Sequence, residues 1–416
     1  MERPIKNFLA AVWIVLLGIG LYGLYLRFST GRELANYGSY VPWGLWVSSY
    51  IYFVGLSAGS FLLSSLVYVF GVKSLARVGR LALFTAAITL FMALISIWLD
   101  LGHMFRFYEI FTRPNFHSLM AWMVWLYSAY FLLILAELWL ELREELAERA
   151  AAGGGLAWLW RLLSLGWRPP ADPAAREEAR AGARRSLKIL GSFGVPLAIA
   201  FHGGVGALFA SLSARPYWHT GLFPILFLTG ALASGGALLL GVTALFARPG
   251  SEEDRKVLHL LGRIVLGLLI ADLVIEWAEI SIPTWYAVGE ESDLYLQVLF
   301  GPYWYLFWLV HLAVGAMVPI LLLGFSPGAR WPSMIAGLLA ATTFLAVRLN
   351  IVIPGQVTPA LEGLERSYVD QRLSFAYEPS LFEWSVVCLI VALGMAVFFC
   401  GVHALRLAPS SRPENA

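Results

Sequence analysis

Residues 41–70, VPWGLWVSSYIYFVGLSAGSFLLSSLVYVF, contain no charged side chain, and the next charge along the chain is Lys73. About twenty apolar residues suffice for a helix to cross the hydrocarbon core of a bilayer. The stretch is therefore read as a membrane span over 43–72. The rest of the chain has the same character. Of 416 residues, 59% are apolar and 13% charged, and the mean hydropathy is +0.72, whereas soluble domains carry about 25% charged residues. Nine further spans are read at 8–28, 81–103, 117–140, 187–211, 222–247, 257–282, 301–325, 333–352 and 381–405. The first is expected to be retained, because no small-residue cleavage site follows it. The expected fold class is thus an all-α integral membrane protein with about ten transmembrane helices and no soluble domain.

Assigning Lys and Arg to alternate sides of this topology puts 21 of 29 on the side of the N-terminus and 8 on the other. Basic residues collect in the cytoplasm, so both termini are expected there. Eight of the 21 fall between Glu141 and Ser186, where GGG and PPADP interrupt a charged stretch, and Lys188 follows just beyond. That segment reads as a cytoplasmic linker between a first membrane half, 1–140, holding helices 1–4, and the remainder, 187–416, holding helices 5–10 and a short tail. The net charge of +2 implies no nucleic-acid partner. Cys388 and Cys400 lie several helical turns apart and cannot pair or build a metal site. No helix carries two stacked histidines, so neither haem nor an iron–sulfur cluster is expected in this chain.

The two halves resemble each other. LSAGSFLL from Leu56 returns as LASGGALL from Leu232, an offset of 176, and the same offset carries Asp100 to Glu276. Four spans separate the copies, which preserves direction through the membrane and makes the repeat parallel.

An ionised side chain inside a bilayer costs roughly 2.5–3.5 kcal/mol on insertion scales and is a functional candidate by default. The candidates are Asp100, Asp272, Glu276, Glu279, Arg348 and Glu383, joined by His202 and His311. Asp272, Glu276 and Glu279 stand at i, i+4 and i+7, on one helix face. Three carboxylates so placed repel unless protonated or paired, which suits proton handling, with Arg348 as the expected buried counter-charge. An ion-pair network that only fixes packing is the structural alternative. His202, in FHGGVGALF, has small neighbours that let another helix approach, and its imidazole can bond a carbonyl ligand or a backbone carbonyl. The aromatic outer segments TRPNFH, ARPYWHTG, PTWYAVG and GPYWYLFW fit an interfacial belt or the walls of a quinone pocket. A secondary transporter or ion channel also explains intramembrane acids, although transporters often show inverted repeats.

Several blocks carry a family resemblance: VPWGLWVSSYIYFVGLSAGSF from Val41, DLGHMFRF from Asp100, RPNFHSLMAW from Arg113, the long Phe201–Gly235 segment, RLN from Arg348 and YEPSLFEW from Tyr377. In this order they resemble the NrfD/polysulfide-reductase membrane-subunit family, in its ten-helix HybB-like branch, which is also similar to the quinol subunits of alternative complex III. The resemblance implies two four-helix bundles plus flanking helices in the cytoplasmic membrane of a bacterium or archaeon. It implies a haem-free subunit that binds menaquinone or ubiquinone near the periplasmic face. Electrons would pass to or from a periplasmic ferredoxin-like iron–sulfur subunit and a catalytic subunit, which is a molybdopterin enzyme, a hydrogenase or a multihaem cytochrome. The chain would then be the quinone-reactive subunit of an oxidoreductase complex rather than an enzyme alone, with no catalytic or metal-binding residue of its own. By position in those blocks the expected quinone pocket comprises Tyr50, Asp100, Arg106, His117, His202, Arg348 and Asn350, and the expected proton relay Asp272, Glu276 and Glu279. Two departures touch the pocket. Asp100-Leu-Gly is followed by His103-Met104 where the family commonly has Arg-Pro, and Ser48-Ser49-Tyr50 replaces an acid or amide often found after PWGLW.

Overall fold

The structure, a computed structural model, describes residues 2–286, 289–359, 361, 363–368, 370 and 372–407. Ten of its helices are long and apolar enough to cross a membrane. They are α1 (Arg3–Ser29), α2 (Leu45–Tyr68), α3 (Gly79–Asp100), α4 (Leu119–Ala151), α5 (Pro173–Ala210), α6 (Phe223–Phe246), α7 (Glu252–Tyr286), α8 (Leu306–Phe325), α9 (Arg330–Val352) and α10 (Leu381–Ala404). Helices α2–α5 pack as one bundle and α6–α9 as a second, while α1 and α10 pair with each other along α3.

The repeated motif is where the bundles meet. Gly59 of α2 and Gly235 of α6, 176 residues apart, face each other: a Cβ on Gly235 would lie 2.7 Å from Gly59 Cα, and one on Gly59 would lie 2.0 Å from Ala231 O. Only hydrogen fits between the two backbones, the small-residue contact by which membrane helices gain packing in the absence of a hydrophobic drive. Residues at equivalent places of the sequence repeat thus touch each other where the bundles meet. The flanking pair uses the same device. A Cβ on Gly20 of α1 would meet Leu389 Cα of α10 at 2.5 Å, and Trp13 donates its indole N–H to Ala392 O at 3.0 Å.

The segment read as a linker is largely helical. Helix α4 continues to Ala151, a short helix covers Ala157–Leu163, and α5 begins at Pro173, where Asp172 accepts the Ala175 N–H at 3.1 Å. At about 1.5 Å per residue, α4 and α5 reach about 50 and 57 Å, well beyond the roughly 30 Å hydrocarbon core. Arg176 bonds Glu144 and Glu148 across the protruding ends, and Arg180 bonds Glu144 at 2.8 Å. Gly153 and Gly154, both at positive φ, make the turn out of α4.

Candidate functional site

The stretch Trp43–Trp46 starts α2 inside the protein, and its N–H groups have no helical carbonyl behind them. Distant side chains supply acceptors instead. Gln356 takes the Trp43 N–H at 3.0 Å, Tyr377 takes that of Leu45 at 2.7 Å, and Tyr37 takes that of Trp46 at 3.2 Å. Tyr377 in turn donates to the buried carboxylate of Glu383. Burial, reinforced by Glu383, pushes the Tyr377 phenol up, so it keeps the proton it donates. Across from this, α3 ends at Asp100. Arg27 of α1, a buried cation, caps that end by donating to Leu99 O and Leu101 O, each at 2.8 Å, and lies over the Trp46 ring at 5.8 Å. A cation at a helix C-terminus satisfies orphan carbonyls and meets the negative end of the dipole.

Between these two ends the first bundle encloses a cavity of about 970 Å³. Its walls are apolar, including Phe91 and Leu94 of α3 and Met123, Val124 and Phe131 of α4. A few polar groups interrupt them. Tyr50 stands edge-on to Tyr127 with ring centroids 6.3 Å apart, and Asp100 lies 3.9 Å from Arg32. His103 and Arg106, both exposed, belong to the lining just beyond the end of α3. Of the seven residues expected to form a pocket, Tyr50, Asp100 and Arg106 line this space.

The other four lie elsewhere. His117 is exposed on the segment before α4. His202, Arg348 and Asn350 are buried at 0%, 1% and 7% exposure, and their side-chain nitrogens, with the Asn350 Oδ1, have no hydrogen-bond partner among the described residues. The Phe227 backbone lies beside His202 without completing a bond of ordinary geometry.

In the second bundle the face of Asp272, Glu276 and Glu279 is real but divided. Asp272 accepts from Thr229 at 2.9 Å, Glu276 bonds His311 Nε2 at 2.8 Å, and Glu279 accepts from Tyr295 at 2.7 Å and from Thr220 at 3.2 Å. His311 sits in Leu306–Met317, wound as a π-helix, a rare form often found at functional positions. Arg348, expected as their counter-charge, hydrogen-bonds none of them. Its guanidinium lies over the rings of Phe227 and Phe344, at 4.8 and 5.5 Å. Helical spacing places a residue at a depth but does not say which way a neighbouring helix turns it.

Arg27, Gln356, Tyr377, Tyr127 and Glu137 were not singled out from the sequence. Arg27 and Glu137 did carry a signal, a charge within an apolar run. Glu137 is 1% exposed, and its Oε1 has no hydrogen-bond partner among the described residues.

The profile of one family, described as polysulphide reductase, NrfD, matches residues 33–360. The chain belongs to that family. It is 39% identical over 383 residues to a selenate reductase subunit of Mesobacillus selenatarsenatis, covering 91% of this chain and 89% of that one. It is 29% identical over 411 residues to the Hdr-like menaquinol oxidoreductase integral membrane subunit of Archaeoglobus fulgidus, covering 95% and 92%. It is 28% identical over 411 residues to a putative dimethyl sulfoxide reductase membrane subunit of Halobacterium salinarum, covering 95% and 90%. The NrfD match and the ten apolar helices make this chain a multi-pass membrane protein, similar over nearly its whole length to subunits of oxidoreductases.

Proposed function

We propose that this chain is the membrane subunit of a respiratory oxidoreductase complex and that the cavity of the first bundle takes up quinone or quinol. The observation that carries the reading is the cavity itself. Its volume of about 970 Å³ and its apolar walls suit a prenylated ring, and Tyr50, Asp100 and Arg106 supply the few polar groups that orient one. The menaquinol oxidoreductase subunit among the relatives supports the same class of substrate.

Quinol oxidation releases two protons for two electrons, and reduction takes up the same number. Tyr50 can donate its hydroxyl to a ring carbonyl and Asp100 can exchange protons with it, since both line the same space. The excess of basic residues on the N-terminal side supports an orientation with both termini in the cytoplasm and the cavity towards the periplasm. The subunit would exchange electrons with a periplasmic iron–sulfur subunit, and through it with a catalytic subunit. Asp272, Glu276 and Glu279 would relay protons in the second bundle.

The test is quinol-linked turnover of the purified complex in liposomes. Tyr50→Phe and Asp100→Asn each remove a hydrogen bond worth about 1.5–3 kcal/mol where a charge is involved. The expected result is a fall in kcat/KM of about 10- to 100-fold with assembly intact. Unchanged turnover in both variants removes the assignment.

A further inference from the structure

One wall of the first bundle's cavity is held from the second bundle. Trp43 lines the cavity from the segment just before α2, and a single side chain bonds both polar groups of its backbone. Gln356 is 2% exposed and belongs to the short helix Pro354–Val357 that follows α9. Its Oε1 accepts the Trp43 N–H at 3.0 Å, and its Nε2 donates to Trp43 O at 2.9 Å and to Val352 O at 2.8 Å. One N–H and two carbonyls surround the amide, which decides its orientation. Both amide N–H groups and the oxygen are thus in use, a set that a carboxylate or an apolar chain of this length does not supply.

The Trp43 ring leans on the same part of the chain. It stacks on Trp218, with centroids 5.8 Å apart and planes 25° from parallel. Phe209, which also lines the cavity, meets Trp43 and Trp218 edge-on at 5.7 and 5.0 Å. Trp218 is fixed by the end of α9. Its indole N–H donates to Ile351 O at 2.8 Å, and its ring lies so close to Gly355 that a Cβ there would approach it at 2.3 Å. Backbone and ring of Trp43 are therefore both set by residues 351–356.

The start of α2 does not depend on this clamp. Tyr377 and Tyr37 take the N–H groups of Leu45 and Trp46, so losing Gln356 frees Trp43 without unwinding the helix. An indole face offers a planar ligand ring a stacking surface and no group that exchanges protons. A contact made equally in ground and transition state changes KM and leaves kcat.

We infer that Gln356 is a positioning residue of the cavity: it holds Trp43 as the aromatic wall on which the quinone ring packs, so that the end of α9 in the second bundle sets how tightly the first binds quinone. This rests on the reading of the cavity as a quinone site.

The test is a double-mutant cycle on quinol turnover by the intact complex in liposomes, with a short-tailed naphthoquinol as substrate. Gln356→Met is expected to raise KM about 5- to 20-fold with kcat within twofold. Trp43→Ala is expected to raise KM at least as much. Because Gln356 acts through Trp43, the double variant Trp43→Ala/Gln356→Met should match Trp43→Ala within twofold. Tyr217→Phe removes a comparable bond to the end of α9, at Asn350 O, without touching Trp43, and should leave KM within twofold. Gln356→Asn, an amide one methylene too short to make all three bonds, gives the same test if the methionine variant does not assemble, with KM raised at least threefold. Single-variant effects that multiply in the double variant, a lowered kcat at unchanged KM in the Gln356 variants, or an equal rise of KM in Tyr217→Phe each overturn the proposal. Parental KM in Trp43→Ala and the Gln356 variants, with Tyr50→Phe and Asp100→Asn impaired, overturns it alone. Unchanged turnover in all of them removes the cavity reading as well.

Discussion

Asp100 and Glu276 hold corresponding places of the sequence repeat at one end of each bundle, yet one end is hollow and the other filled. In the first, α3 stops at Asp100 and the chain turns away, leaving a cavity with apolar walls. In the second, the equivalent residue Glu276 lies inside α7, which continues ten residues further to Tyr286. The helix Gly289–Phe300 then folds back, so that Tyr295 reaches both Glu279 and the ring of Tyr217, 5.2 Å away. Three extra turns of helix and one tyrosine fill what the other half leaves open. The acids differ accordingly. Asp100 borders a space and is approached by Arg32 at 3.9 Å, whereas Asp272, Glu276 and Glu279 each hold a hydrogen bond shorter than 3.0 Å. The scaffold is shared, and the lengths of its helices decide which half accepts a ligand.

The sharpest way to break this contrast is to fill the hollow end. Val124 faces the cavity from α4 and is only partly buried, so Val124→Trp adds its ring to free volume rather than to packed core. Turnover with quinol is expected to fall more than 100-fold while the complex still assembles and unfolds at the same temperature. Retained activity would show that the chemistry happens elsewhere, and the difference between the ends would then be one of shape only.

The filled end is tested through its buried pair. His311→Leu leaves the Glu276 carboxylate without its imidazole, at side-chain exposures of 4% and 16% respectively. Breaking one partner of a buried pair costs about 3–5 kcal/mol, whereas replacing both with apolar groups is often nearly neutral. Because Glu276 retains some exposure, the lower end of that range is expected, read as a lower unfolding temperature in detergent. The double variant His311→Leu/Glu276→Leu should recover most of the loss. If it unfolds as early as the single variant, the two side chains do not act as a pair.

Much of this arrangement can be read from one dimension. Hydropathy yields the ten spans, and the spacing of Gly59 and Gly235 anticipates the axis on which the bundles meet, because close approach needs small residues on both sides. The depth of Asp100 and of the α7 carboxylates follows from counting residues along helices. Azimuth does not. Arg348 lies near the depth of those acids, but its guanidinium stacks on Phe227 and Phe344, and nothing in its own helix says so. The supports of the α2 start are hidden for another reason. Gln356 and Tyr377 bond Trp43 and Leu45 over more than 300 residues of sequence, and such contacts exist only once the helices are packed. In the linker, GGG breaks the helix as its composition suggests, whereas within PPADP Asp172 and Pro173 together form a helix start.

The smallest effect discriminates most finely between the two ends. Tyr295 and Tyr50 are both tyrosines at the outer end of a bundle, and removing one hydroxyl from each is the same chemical change. Tyr295→Phe deletes a buried donor to Glu279, which still accepts from Thr220. The loss is expected to be about 1–2 kcal/mol of stability, with quinol turnover within twofold of the parent. Tyr50→Phe should do the reverse, because its ring borders the cavity rather than a carboxylate, so turnover falls while the unfolding temperature holds. If Tyr295→Phe slows turnover as much as Tyr50→Phe does, then Glu279 takes part in the proton traffic of the cycle. The filled end would then be working machinery rather than a closure, and the division between the two bundles would be one of roles within a single reaction.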